Sequence, residues 1–289
     1  MMDNSDCLVE RHEGSESFFN FGLWDYFKYK MYYWGELRFE ASNVHERTHE
    51  SPSTLFCLNR VYPHAIEIGQ PVPVYSKWRM AIAIFVWIFM AAMWLIEYPN
   101  NFSLDDMLHW SFFITLSPLY LGTLAVWYVY RLNNMPGRQT LMFNRKTRQV
   151  IAYQVRKPGF FRFWDTGKPQ IKVLPWKNFR VRVYFCDEGQ GNKYSILGLF
   201  WSQKEHPEKL KDMVRLYKGD HSRNNGYQFR LWEHIRQYME EHGPPIQPGE
   251  ELGPDATEPS PFPDKIIRKA GGESYNWEKI KAMSADKSE

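Results

Sequence analysis

Two uncharged stretches constrain this chain more than any other feature. Between Arg79 and Glu97 lie 17 residues, Met80 to Ile96, without a charge. From Trp110 to Tyr130 there are 21 more, "WSFFITLSPLYLGTLAVWYVY". A helix needs about 20 apolar residues to cross a bilayer core, with a lower limit of about 17. The second run meets that length, and the first stands at the limit. Neither has the polar face of a surface helix. The loop between them, "EYPNNFSLDDMLH", carries the turn signal Pro99-Asn100-Asn101. The pattern predicts a transmembrane hairpin over residues 77–131, with spans at about 80–96 and 110–130. The opposing reading is a pair of buried core helices. The mean hydropathy of −0.53 favours it, but that average is dominated by the polar remainder. Pro118 and Gly122 predict a kink in the second span.

The flanks fit the same reading. Lys77 and Arg79 can snorkel, and Trp78, Tyr98, Trp110 and Tyr130 suit an interface, with Arg131 just beyond. The loop between the runs has no Lys or Arg. Basic residues precede the first run and follow the second, so the positive-inside rule puts both termini in the cytoplasm. The spans contain no ionisable residue, which favours an anchor over a pump. An oligomeric channel or transport subunit is the alternative.

Charge is unevenly placed. Residues 131–240 carry 22 basic and 9 acidic groups, net +13, in a chain whose total is +3. Arg145, Lys146, Arg148, Arg156, Lys157 and Arg162 cluster in strands and turns just past the second run. They form a candidate patch for lipid head groups or an acidic protein partner. No nucleic-acid recognition module is visible. Cys7, Cys57 and Cys186 form neither a CxxC pair nor a ligand cluster, so neither a disulfide framework nor structural zinc is predicted. The polar, acidic N-terminus lacks the features of a secretory signal.

After the runs the period changes. "FNRKTRQVIAY" predicts two strands around a basic turn at Arg145-Lys146-Thr147. "FRVRVYFC" alternates, with Phe179, Val181, Val183 and Phe185 inward and Arg180, Arg182 and Tyr184 outward. "DEGQGN" predicts a turn, and "YSILGLFWS" a buried partner strand. "HPEKLKDMVRLYKG" places Leu210, Met213, Val214 and Tyr217 at helical spacing before Gly219, so a helix is predicted there. A second helix is predicted from near Asn225. Leu231, Trp232, Ile235, Tyr238 and Met239 line one face of it, and Gly243-Pro244 end it. The fold class is therefore an α+β membrane protein: an N-terminal hairpin, then a small antiparallel sheet with C-terminal helices, a domain that resembles the pleckstrin-homology-like domains of bacterial membrane proteins. The domains are 1–76, an aromatic-rich cytoplasmic region; 77–131, the hairpin; 132–243, the basic α+β domain; and 244–289, a Pro-rich, largely disordered tail with seven prolines in 244–263.

Two spans followed by "FNRKTRQV", "LPWKNFRVRV" and "LWEHIRQYMEEHGPP", with "LNRVY" ahead of them, resemble a family of two-span proteins of Gram-negative bacteria. Genes of that family often lie near type VI secretion and Rhs-type toxin genes. The resemblance covers roughly residues 55–245. It implies a non-enzymatic, two-pass inner-membrane protein that serves as immunity or accessory factor for a secreted effector. It assigns no catalytic residue and no cofactor.

Other motifs carry competing readings. "HERTH", His45 to His49, matches H-E-x-x-H, in which a helix sets two histidines on one face with Glu46 as base. A membrane-tethered zinc hydrolase using His45, Glu46 and His49 is thus an alternative. The polar neighbours and Pro52 favour a plain linker. "DEGQGNKY" lacks the third glycine of a phosphate loop. Residues 18–39 hold 11 aromatics in 22 residues, which suit an interfacial segment and packing on the sheet equally.

Overall fold

The structure, a computed structural model, describes residues 36–41, 45–69, 85, 87–89, 122–123, 127, 140–155, 169–187, 193–220 and 227–285. The chain divides into two compact units. One comprises Met1–Pro71, Arg138–Gln154 and Gln170–Glu289; the other Val72–Gly137 and Val155–Pro169.

The strands are β1 (Glu36–Ala41), β2 (Leu58–Val61), β3 (Ala65–Gly69), β4 (Thr140–Asn144), β5 (Gln149–Val155), β6 (Pro169–Pro175), β7 (Phe179–Asp187), β8 (Lys193–Ser202) and β9 (Leu210–Asp220), all in the first unit but for the end residues Val155 and Pro169. Three helices follow: α1 (Tyr227–Glu240), α2 (Asp264–Lys269) and α3 (Trp277–Ala285). The strands form two sheets, ordered β1-β7-β8-β9 and β2-β3-β4-β5-β6. The β4–β5 hairpin turns where the sequence predicts, and Asn144 Oδ1 accepts the Thr147 N–H at 3.0 Å. The β7–β8 hairpin is likewise in its predicted place.

The main core draws on both sheets and α1. Ile66, Leu141, Phe143 and Val150 of one sheet, and Val181, Val183, Leu197 and Leu199 of the other, join Leu231, Trp232 and Ile235 of α1. Aromatic rings bind these layers. Trp176 stacks on Trp232 with centroids 5.7 Å apart, and Phe179 meets Trp176 at 5.0 Å and Trp201 at 5.1 Å. Offset and edge contacts of this kind add to the large area such rings bury.

Each sheet is also apolar on its second face. On the four-stranded sheet Tyr184, Tyr194, Ile196, Phe200, Leu210 and Met213 form a second cluster. Arg182 lies among these rings. It is fully buried, with its guanidinium 5.6 Å from the Phe200 ring and Nη1 donating to Tyr184 Oη at 3.0 Å. The outward polar face expected at Arg182 and Tyr184 is thus an inward one. The period-2 pattern separated two faces correctly, but it cannot say that both are covered. On the five-stranded sheet Tyr62, Ala65, Met142 and Ile151 pack beneath Phe262 and Ala270, with Ile266 and Ile267 of α2.

Several expectations are corrected. The segment predicted as a helix before Gly219 is strand β9. A bulge between the pairs Leu197–Tyr217 and Gly198–Arg215 shifts its register. With a second bulge between Asp212 and Leu210, Leu210 and Met213 share one cluster while Val214 and Tyr217 share the other, which imitates helical spacing. The Pro-rich segment expected as a disordered tail is packed. Ile246, Phe262 and Ile280 are buried, and Gly253, Tyr275 and His64 form backbone hydrogen bonds that join this segment to β2 and its turn. Proline has no N–H to satisfy, so an extended strap tolerates it.

The membrane hairpin finds no support. Among the described residues no helix is long and apolar enough to cross a membrane. Against the expected α+β membrane fold class and two-pass inner-membrane location stands a fold of two antiparallel sheets with few helices among the described residues. Counting uncharged residues cannot separate a span from a buried segment, and that count carried the expectation. The two runs lie outside the described residues except for positions 85, 87–89, 122–123 and 127. There Trp87 Nε1 donates to Thr123 Oγ1 at 3.1 Å. A Cβ on Gly122 would come within 2.6 Å of the same indole, so Gly122 permits that close approach.

Candidate binding surface

Three carboxylates organise the described surface of the first unit. Glu233, buried on α1, accepts the Thr48 N–H at 2.9 Å and Oγ1–H at 3.3 Å through Oε2. Arg236 and Gln237 donate to Oε1 at 2.6 and 3.0 Å. Burial alone would raise this carboxyl, but the Arg236 guanidinium, the Thr48 N–H and the Gln237 amide outweigh it and hold the pKa below its usual value. Glu67, buried on β3, pairs with Arg60 and accepts from Tyr62 Oη and Ser260 Oγ, each at 2.9 Å. Glu250 accepts from Ser53 Oγ, from the Thr54 N–H at 2.9 and 3.0 Å, and from Thr54 Oγ1 at 2.7 Å. Together they pin two straps, residues 45–54 and 250–260, to the sandwich.

The H-E-x-x-H segment belongs to the first strap. Its residues form a turn and an isolated bridge, not a helix. His49 Nδ1 accepts the Ser51 N–H at 3.0 Å, the His45 carbonyl accepts from Arg236 Nη1 at 3.2 Å, and Glu46 is exposed. The helical geometry that would put both histidines on one metal is missing. Among the described residues no group of His, Cys, Asp or Glu is arranged to hold a metal ion. The segment is not a loose linker either, because Thr48 and His45 anchor it to α1.

The basic patch is divided. Arg145 lies over the Tyr238 ring, 5.1 Å from its centroid, and Nη2 donates to the Pro63 carbonyl at 3.4 Å. Arg148 donates to the Met239 carbonyl and to Glu240 at the C-terminal end of α1. A cation there satisfies orphan carbonyls and the helix dipole. Lys146 stands exposed at the tip of the turn. Arg156, Lys157 and Arg162 lie outside the described residues, as do Lys77, Trp78, Arg79, Tyr98, Trp110, Tyr130 and Arg131.

The sequence gives no hint of the turn Ser53–Cys57. The Cys57 N–H donates to the Thr54 carbonyl at 2.9 Å, closing a four-residue turn. Its central residues, Leu55 and Phe56, have φ of 53° and 57°. Such a turn favours Asn-Gly, and each side chain there costs about 1–2 kcal/mol. Leu55 packs toward the core, while Phe56 is 60% exposed. Next to it the Cys57 thiol is buried, and desolvation pushes its pKa up to about 12, so it is no nucleophile.

No curated protein and no solved structure matches the chain. A match to a family does exist, over residues 119–263, which takes in β4 to β9, α1 and the second strap. By that match the chain belongs to a family of unknown function, DUF6708.

Proposed function

We propose that this chain is a non-enzymatic binding protein for a protein partner, serving as immunity or accessory factor of a type VI secretion effector. The observation that supports binding is the use of Glu67, Glu233 and Glu250. Each is surrounded by donors from distant segments. Such carboxylates fix straps in place and produce a rigid surface, which reduces the ordering cost of association. The secretion context rests on the resemblance that "FNRKTRQV", "LPWKNFRVRV" and "LWEHIRQYMEEHGPP", in that order, carry to a family whose genes often lie near type VI secretion genes.

Co-expression with the neighbouring candidate toxin tests the immunity reading. Survival only in cells that carry this chain is the expected result. Equal killing with and without it rejects the reading.

A further inference from the structure

The Ser53–Cys57 turn holds an unfavourable backbone and displays one uncovered ring. Leu55 and Phe56 both sit in the left-handed region, at φ of 53° and 57°. Both sides of the turn are clamped. Glu250 takes the Thr54 N–H and Oγ1–H and the Ser53 hydroxyl. Opposite, Gly253 packs so tightly that a Cβ there would come within 2.4 Å of the Phe56 carbonyl oxygen, and its N–H donates to the Leu58 carbonyl at 2.7 Å. Neither side leaves room for the turn to relax. The strain is therefore maintained by the surrounding structure, as at sites where geometry serves a function. Folding gains little from Phe56 itself, whose ring is 60% exposed.

We propose that Phe56 is the aromatic anchor for a folded protein partner offering an apolar pocket rimmed by basic side chains. The apolar pocket follows from the ring, since rigid exposed aromatics are characteristic hot spots. The basic rim follows from the charge of the clamping segment, while Arg230, which also borders the turn, donates its Nε–H to the Ser51 carbonyl. Residues 243–264, which include the clamping Glu250 and Gly253, carry Glu250, Glu251, Asp255, Glu258 and Asp264 and no Lys or Arg. Of these, Glu251, Glu258 and Asp264 are exposed. A second copy docking the same face would set this acidic rim against itself. The inference rests on reading the chain as a binding protein and names the surface that does the binding.

The test uses the full-length chain in its own host, with p-benzoylphenylalanine in place of Phe56 and, as control, in place of the exposed Glu205. Irradiation is expected to yield an adduct with one protein at position 56 and none at 205. Phe56→Gly should reduce recovery of that protein with the chain at least about tenfold, and Phe56→Trp should restore it. The Tm of Phe56→Gly should equal or exceed the parent's, because glycine suits the turn. A lower Tm makes the ring structural and overturns the proposal. So does an adduct only with a second copy, or the same adducts at both positions. If Phe56→Gly retains the partner, the anchor fails and the binding reading stands. If the parent chain retains no protein, both fall.

Discussion

The indole N–H of Trp176 donates to the carboxylate of Glu240. This bond joins the β6–β7 connection to the last turn of α1. Arg148, from the β4–β5 turn, reaches the same carboxylate. His45, on the first strap, has Nδ1 3.2 Å from the other oxygen. Three separate segments thus meet at one helix terminus.

Replacing Glu240 by Ala leaves the buried Trp176 N–H without an acceptor. An unsatisfied buried donor costs about 1–3 kcal/mol. We expect the urea midpoint, followed by tryptophan fluorescence, to fall with an unchanged m value. Burial raises the Glu240 carboxyl, but Trp176 and Arg148 outweigh it and hold it low. Its stabilising contribution is therefore present above the ordinary carboxylate value and lost as pH falls through the depressed one. The gap between parent and Glu240→Ala should narrow on acidification. A gap that does not change with pH would argue against this ion pair.

Glu233 and Arg236 form a buried pair on one turn of α1, and Arg236 also reaches Glu241 at 2.7 Å. Removing one member of a buried pair costs about 3–5 kcal/mol when the other is left alone. Because Glu241 remains, Glu233→Gln should cost less, about 2–3 kcal/mol. The strap loses the carboxylate that holds Thr48, so the Thr48 amide should exchange faster than those of α1. Unchanged exchange at Thr48 would show that the strap is held by something else.

Much of this arrangement can be read from the sequence. Leu231, Trp232, Ile235, Tyr238 and Met239 fall on the buried face of α1, because apolar residues at i, i+3, i+4 spacing leave a helix few alternatives. β7 follows from strict alternation and β8 from its nearly continuous apolar run. β9 did not, because a bulge breaks its period. The Pro-rich strap did not either: composition reports the average tendency of a segment, whereas Ile246, Phe262 and Ile280 are single anchors spaced far apart. The basic turn falls where the sequence places it, but the use of Arg145 and Arg148 against α1 depends on where that helix ends in space. Phe56 was invisible because Leu-Phe is not a turn-forming pair.

His234 gives a pH dependence of known sign. It is fully buried on α1, with Gln247 Nε2 3.0 Å from Nδ1. Desolvation pushes its pKa down to about 4, against a smaller upward pull from Glu250. Above the ordinary value of about 6.5 both folded and unfolded chains hold it neutral. Below that the unfolded chain binds a proton that the folded chain refuses, so stability falls as pH drops from about 6.5 toward 4. The total is about 3 kcal/mol, at about 1.4 kcal/mol per pH unit. His234→Gln should flatten the Tm profile between pH 6.5 and 5, above the carboxylate range. An identical slope in that window would assign the effect to another group.

The last prediction concerns residues 245–289. If they were a solvated tail, deleting them would leave stability unchanged. In the structure Ile246, Phe262 and Ile280 are buried in the two faces of the sandwich. At about 1.5–3 kcal/mol for each buried side chain, they contribute about 5–9 kcal/mol. A domain of ordinary stability has only about 5–15 kcal/mol in all. The deletion also strips Glu67 of its Ser260 donor and Thr54 of its Glu250 acceptor. A chain ending at Pro244 should therefore lose its cooperative thermal transition, and limited proteolysis of the parent should spare the Pro-rich stretch 244–263. A truncated chain that melts cooperatively at the parent's Tm would show that the strap rests on the sandwich without stabilising it.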